Sequence, residues 1–410
     1  MKLITTVALA LILIAGCKDK RGGNASSQPS GSSSSLAPPL APPISDASPL
    51  VAPGQTGTIS LVSAAHAIAD LNGDGTDDVV ALAEIKSASD EQLRVVALDG
   101  KATAFLWVSP RLQPIGEIPK NGRRMVFAGG GRVALATGWK DLQLFDATTG
   151  APTKTLMLDG IPGYRSCVDP EDATHAFLAL FAGKTDHSRE VGGVMLDLAG
   201  ASTVPTARPA WCAAAPERRY SADCGLYDNE DREVECSPGS TAPAASNFVA
   251  AYVLATKHAS VAIGNHSDGR GKEYSDGLPV VLRFDPATKR ILWRHEIADA
   301  PPQGNYKDHH VVRQADVSPA GVLIVIERVA ALQTWGHRLI MLDLKTGEPR
   351  FETSIDRPLS RDARVVHNVL YVPRGDSLEA RDPATGEVRR HFGSAMGQIV
   401  GSAIVPTKTP

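Results

Sequence analysis

Val281-Leu282-Arg283-Phe284-Asp285-Pro286-Ala287-Thr288-Lys289-Arg290-Ile291-Leu292-Trp293 decides the fold. Its apolar run suits a buried strand, and the Pro-Ala-Thr that follows cannot continue one. Asp and Thr side chains bond the backbone of tight turns, so the chain reverses there. Ile291-Leu292-Trp293 then reads as the return strand of a hairpin. One such hairpin is marginal in water, so copies have to stack.

Copies are present. Leu339-Ile340-Met341-Leu342-Asp343 is followed by Thr346-Gly347 and Phe351, and Leu98-Asp99 is followed by Trp107. Phe145-Asp146 with Thr149-Gly150, and Asp382 with Thr385-Gly386, match in their first halves, and Met195-Leu196-Asp197 is a weaker copy. The anchor aspartates are spaced 47, 51, 88, 58 and 39 residues apart. A four-stranded propeller blade takes roughly 40–50 residues, so the period is blade-sized. The interval of 88 has room for a degenerate blade around Phe248 to Gly264, and for a Cys- and charge-rich insertion over about 207–246. The expectation is an all-β propeller over 54–410 with seven or eight four-stranded blades.

The pattern of strand, Asp, two residues, Thr-Gly, three residues and Trp resembles the repeat of quinoprotein (PQQ-like) β-propellers over most of residues 90–400. That family includes quinone-dependent alcohol dehydrogenases and a lipoprotein factor of outer-membrane β-barrel assembly. The dehydrogenases carry adjacent cysteines over the cofactor, and this chain has no Cys-Cys pair. The resemblance therefore implies the fold, and no PQQ is expected.

Asp70-Leu71-Asn72-Gly73-Asp74-Gly75-Thr76-Asp77-Asp78 places oxygen donors at alternate positions with glycines that let the loop fold back. Hard oxygens in that arrangement suit Ca²⁺. The candidate ligands are the carboxylates of Asp70, Asp74 and Asp78, the Asn72 amide and the Thr76 carbonyl. The twelfth position is Ala81, so the loop is no EF-hand; it resembles the calcium loop of FG-GAP/VCBS repeats. The expected role of the ion is structural.

The first residues address the chain. Met1-Lys2 precedes an apolar run from Leu3 to Ala15. At about 1.5 Å per helical residue this run spans roughly 20 Å, short of a ~30 Å hydrocarbon core. It reads as a signal peptide over 1–16. Ile14-Ala15-Gly16-Cys17 resembles a bacterial lipobox, which makes Cys17 the lipidated residue. Residues 17–53 are rich in Ser, Pro, Gly and Ala and read as a disordered tether reaching on the order of 30 Å. Lys18 is not the Asp of the inner-membrane retention signal, which slightly favours the outer membrane.

Four further cysteines, Cys167, Cys212, Cys224 and Cys236, fit disulfides in an oxidising compartment. Three pairings are open; closing the shorter loops favours Cys167–Cys212 and Cys224–Cys236. A four-thiolate zinc site suits the spacing less well, because zinc ligands come in closer pairs. A formal net charge of −3 with interspersed signs gives no basic face for nucleic acid. His309-His310 point to opposite faces of a strand, and Ala128-Gly129-Gly130-Gly131-Arg132 lacks the Lys of a phosphate loop, so it reads as a turn. No catalytic constellation is legible.

The expectation is a membrane-tethered, non-enzymatic scaffold that binds a protein partner in the cell envelope, with the 207–246 insertion as a contact element. The alternative is a calcium-dependent module for carbohydrate or another envelope polymer. A PQQ-dependent oxidoreductase comes last.

Overall fold

The computed structural model describes residues 49–406 except 114–122, 164–165, 170–171, 183–189, 210–211, 213–247, 257, 267–278, 298–307, 331–332 and 356–362. Cys17, the signal peptide, nearly all of the tether, Cys224, Cys236 and most of the 207–246 insertion lie outside the described residues.

Each anchor aspartate ends, or directly follows, the third strand of an antiparallel sheet. The first sheet holds Thr56–Ala69, Asp78–Ser87, Glu91–Leu98 and Phe105–Val108, and the second holds Met125–Gly129, Arg132–Ala136, Asp141–Asp146 and Pro152–Met157. The third is built on His175–Phe181, Glu190–Asp197 and Ser202–Pro205, edged by Cys167–Val168 and Ile161–Pro162. The fourth runs Phe248–Ala255, Ser260–His266, Pro279–Phe284 and Ile291–Glu296. The fifth runs Asp308–Ser318, Gly321–Ala330, Gln333–Leu342 and Pro349–Ile355, and the sixth Arg364–Val366, Val369–Arg374, Ser377–Arg381 and Val388–Gly393. Gln398–Val400 and Ala403–Val405 extend the first sheet to six strands on the outer side of Thr56–Ala69, and a 3₁₀ turn lies at Ser394–Met396.

Among the described residues the sheets pack face to face from the first to the third and from the fourth to the sixth, and the sixth packs on the first. Alternation along Asp78–Ser87 sends Val80 and Leu82 against Val126, Leu135 and Phe145 of the second sheet. Val79, Ala81 and Ala83 face the other way, against Tyr371, Leu378 and Phe392 of the sixth. Leu142 and Leu144 meet Leu178 and Leu196 between the second and third sheets. Val281 meets Ile324 and Ile340 between the fourth and fifth, and Met341 meets Leu370 between the fifth and sixth. The last sheet thus touches the first, and the ring is that of a β-propeller. The closing joint also buries Leu50, Val51, Ile399 and Ile404. Gln398–Val400 pairs with Thr56–Ala69, and the Val51 amide donates to the Gly401 carbonyl at 3.1 Å, so both ends of the described chain are tied into this joint.

The described residues form six sheets, one per anchor, and not seven or eight. The apolar run Phe248 to Gly264 is no blade of its own: it supplies the first two strands of the fourth sheet, which ends at Asp285 and Trp293. The interval of 88 is long because of the chain between Pro205 and Phe248, and because of residues 267–278 between the second and third strands.

The repeat acts across the joints. In each turn the anchor carboxylate accepts backbone amides two or three residues on, as from Thr148 and Thr149 to Asp146, or Lys345 and Thr346 to Asp343. The aromatic eight residues after one anchor covers the glycine four residues after the next. A Cβ on Gly150 would lie 2.4 Å from Trp107, one on Gly347 2.6 Å from Trp293, and one on Gly386 2.6 Å from Phe351. Trp107 Nε1 donates to the Ala147 carbonyl at 2.7 Å, and Trp293 Nε1 to that of Leu344 at 3.1 Å. Where the aromatic is missing, so is the glycine. Lys154 reaches the Ala201 carbonyl at 3.1 Å, and Pro205 precedes a turn that carries Lys289 at φ 58°. The Gly129–Gly131 cluster is the turn of a hairpin between Met125–Gly129 and Arg132–Ala136.

Candidate functional site

The loop between Thr56–Ala69 and Asp78–Ser87 has the strongest motif of the described chain, and it is bound mainly by its own side chains. Asp70 accepts the amides of Gly73, Asp74 and Gly75 at 2.9, 3.1 and 2.9 Å. Asn72 Oδ1 accepts the Asp74 amide at 3.0 Å, and Asp74 Oδ1 that of Thr76 at 2.8 Å. Gly73 and Gly75 have φ of 73° and 80°, which a side chain would strain. Asp78 is fully buried; its two oxygens take the amides of Leu71 at 2.9 Å and Gly100 at 2.8 Å. Burial pushes its carboxyl up, against the pull of those two amides.

Lys101, on the Asp99 turn, enters the loop from the same sheet. Its Nζ lies 3.1 Å from Asp74 Oδ2 and 2.9 Å from the Asp74 carbonyl. Desolvation opposes ionisation of Asp74, yet Lys101 and the Thr76 amide hold its carboxyl below the ordinary range. The donors are the hard oxygens a calcium ion takes, and every carboxylate bound to an amide keeps a further lone pair. No group of three Asp, Glu, His or Cys side chains converges as a metal cluster among the described residues. The cation at Asp74 is the Lys101 ammonium.

Asp77 is the eighth residue of the loop, out of step with the alternating oxygen donors, and points elsewhere. Its side chain is 7 % exposed, and both its oxygens lie within 2.9–3.0 Å of Nδ1 of His367, which is 77 % exposed. His367 and Asn368 form the left-handed turn, φ 43° and 63°, that joins the first two strands of the sixth sheet. The pair therefore ties the first sheet to the last. Beside it opens a cleft of about 280 Å³ lined by Asp70, Gly75, Thr76, Asp77, His367 and Val369. Burial and the charges of Asp77 and Asp78 push the Tyr371 hydroxyl well up. Sequence reasoning passed over Asp77, His367 and Lys101. The two ends of the latch are 290 residues apart, and the one local signal was an aspartate out of step with the ligand alternation.

Cys167 and Cys212 form a disulfide with Cα atoms 5.9 Å apart. Beside it Arg208 donates to both oxygens of Glu190 at 2.9 Å and stacks 5.2 Å from the Phe177 ring centre. The side chains of His309 and His310 lie outside what is described.

No family model matches the chain, and no curated protein matches it. Solved structures do. BamB from Moraxella catarrhalis is 12% identical over 83% of this chain and 89% of its own, with a TM-score of 0.30. The Cps50 (Swd1) beta-propeller domain of Myceliophteria thermophila is 11% identical over 82% and 89%, with a TM-score of 0.30. Quinohemoprotein alcohol dehydrogenase from Comamonas testosteroni is 11% identical over 82% and 68%, with a TM-score of 0.32. At these scores the reading of the site rests on the chain's own geometry.

Proposed function

We propose that this chain is a lipid-anchored, non-enzymatic β-propeller of the bacterial cell envelope that binds a protein partner along its rim. One observation carries the proposal. Besides Val191, Val400 and Val405, the described residues expose a large apolar side chain on the last strand of four of the sheets. These are Met157 at 73 % exposure, Val204 at 60 %, Leu292 and Val388. Each sits on the strand that ends its sheet in the pairing order of the described residues. Apolar groups on such strands suit a partner that adds a strand and covers them.

In this reading Cys17 carries the lipid, residues 17–53 form the tether, and the outer membrane is the favoured destination. No helix among the described residues is long and apolar enough to cross a membrane. Calcium, held by Asp70, Asn72, Asp74, Asp78 and the Thr76 carbonyl, has a structural role: it fixes the loop that presents Asp77 to His367.

The test is isolation of the full chain from cross-linked cells, beside a Met157→Lys/Val204→Lys variant and a Cys17→Ser variant. The expected result is one stoichiometric protein partner that the rim variant loses while its melting temperature is unchanged. The Cys17→Ser chain should leave the membrane fraction. Equal recovery with the wild-type and rim-variant chains would refute the rim as the binding surface.

A further inference from the structure

We propose that the protein partner adds an extended, acidic segment to the last strand of the sixth sheet, Val388–Gly393, and that Arg390 receives one of its carboxylates. This rests on the rim reading above and adds the sheet that docks the partner and the partner's chemistry.

Val388-Arg389-Arg390-His391 sets three basic side chains in a row on a strand without Asp or Glu. The last strands of the other sheets differ. Phe105–Val108 and Ser202–Pro205 carry no charge, and the Lys154 ammonium on Pro152–Met157 is given to the Ala201 carbonyl. Arg294 on Ile291–Glu296 is paired with Glu296, while Arg350 and Glu352 on Pro349–Ile355 are paired with Asp343 and Arg338. On the sixth sheet Asp382 takes Arg389 and leaves Arg390. Beyond the bulge at Arg389 the pairing is regular, with Arg390 opposite Ala380 and Phe392 opposite Leu378. Ala380, Leu378 and Phe392 all face the joint with the first sheet, so the Arg390 stem lies on that side too. Its Nη1 is out of contact with water and has no hydrogen-bond partner among the described residues. A guanidinium nitrogen in that state is costly, and a carboxylate is the group that satisfies it best. Arg390 as a whole is only half-buried, so its guanidinium can turn to the strand edge without opening the core. Val388, 39 % exposed, offers apolar contact on the same strand. A strand that alternates apolar and acidic residues would meet both, since opposite charges on neighbouring strands attract.

Fluorescence anisotropy of a labelled peptide of alternating Val and Glu, titrated with the full chain in detergent, tests the inference. Peptides of alternating Val and Lys, and of Val and Gln, are run beside it. Wild type is expected to prefer the Glu peptide to both others, and added salt should weaken that binding. Arg390→Gln should bind the Glu peptide about three- to tenfold more weakly with an unchanged melting temperature. Arg390→Lys, which keeps the charge and loses the fork, should fall between the two. Met157→Lys/Val204→Lys should bind the Glu peptide as wild type does. Equal binding of the three peptides, or of the Glu peptide by wild type and Arg390→Gln, would overturn the acidic docking and leave the rim reading to Met157 and Val204. No peptide bound at millimolar concentration would overturn it as well.

Discussion

Replacing Trp107 by alanine tests the joint between the first and second sheets, because one side chain there makes both contacts of the repeat. Trp107 is 2 % exposed, covers Gly150 and donates to the Ala147 carbonyl. Truncating a buried Trp costs about 3–5 kcal/mol, and the stranded carbonyl adds roughly 1 kcal/mol. For roughly 350 residues unfolding together, an entropy near 0.7 kcal/mol/K makes a loss of about 4–6 kcal/mol a fall of roughly 6–9 °C. Gly150→Ala probes the other partner. Its methyl would meet the indole at 2.4 Å, an overpacking of about 1–3 kcal/mol, and positive φ adds about 1 kcal/mol. In the Trp107→Ala background the clash is gone and only the backbone cost remains. A double-mutant cycle read by thermal or urea unfolding should therefore show a coupling of about 1–3 kcal/mol, the double variant being less damaged than the sum. Additivity within about 0.5 kcal/mol would refute aromatic-on-glycine docking as the unit that joins the sheets.

Other outcomes follow from single features. Reducing the Cys167–Cys212 disulfide, which spans 45 residues, should lower stability by up to about 4 kcal/mol on the chain-entropy account, read as a melting shift with reductant or in Cys212→Ser. His367→Ala should cost about 1 kcal/mol in urea unfolding, because it leaves the buried Asp77 carboxylate facing only the water of the cleft. Acid should act on the turns. Arg350 and two turn amides hold the Asp343 carboxyl far below its ordinary value; turn amides lower Asp285 likewise, and amides with Arg389 lower Asp382. Asp172, bonded to Thr174 and His175, is lowered to about 2. Depressed folded values mean that the stabilisation is complete above the unfolded carboxylate range, near pH 4, and is lost as pH falls below it. Circular dichroism should show a melting temperature insensitive to these groups between about pH 5 and 7 and falling below pH 4. Asp343→Asn should flatten part of that fall.

The fold was legible where its cause is local. An anchor aspartate and the amides two and three residues on belong to one turn, so the pattern appears intact in the sequence, and six anchors correspond to six sheets. The joints were half legible. The aromatic eight residues after the anchor stands out, but that it rests on the glycine of the following copy, as Trp293 does on Gly347, emerges only when neighbouring sheets are placed. The supposed blade at Phe248 to Gly264 arose because buried strands of any sheet read alike as apolar runs, and the long stretch before it hid its link to Asp285. The loop at Asp70–Asp78 declared itself through alternation. Lys101 came to it from another turn, and His367 from the far end of the chain.

The most direct test of the central claim is photo-cross-linking in intact cells, with the photoreactive residue placed in turn at Met157, Val204 and the buried position Leu135. The account predicts one protein adduct, of the same mass from Met157 and Val204 and absent from Leu135. No adduct from either rim position, in a chain that fractionates with the membrane and melts as wild type, would contradict it.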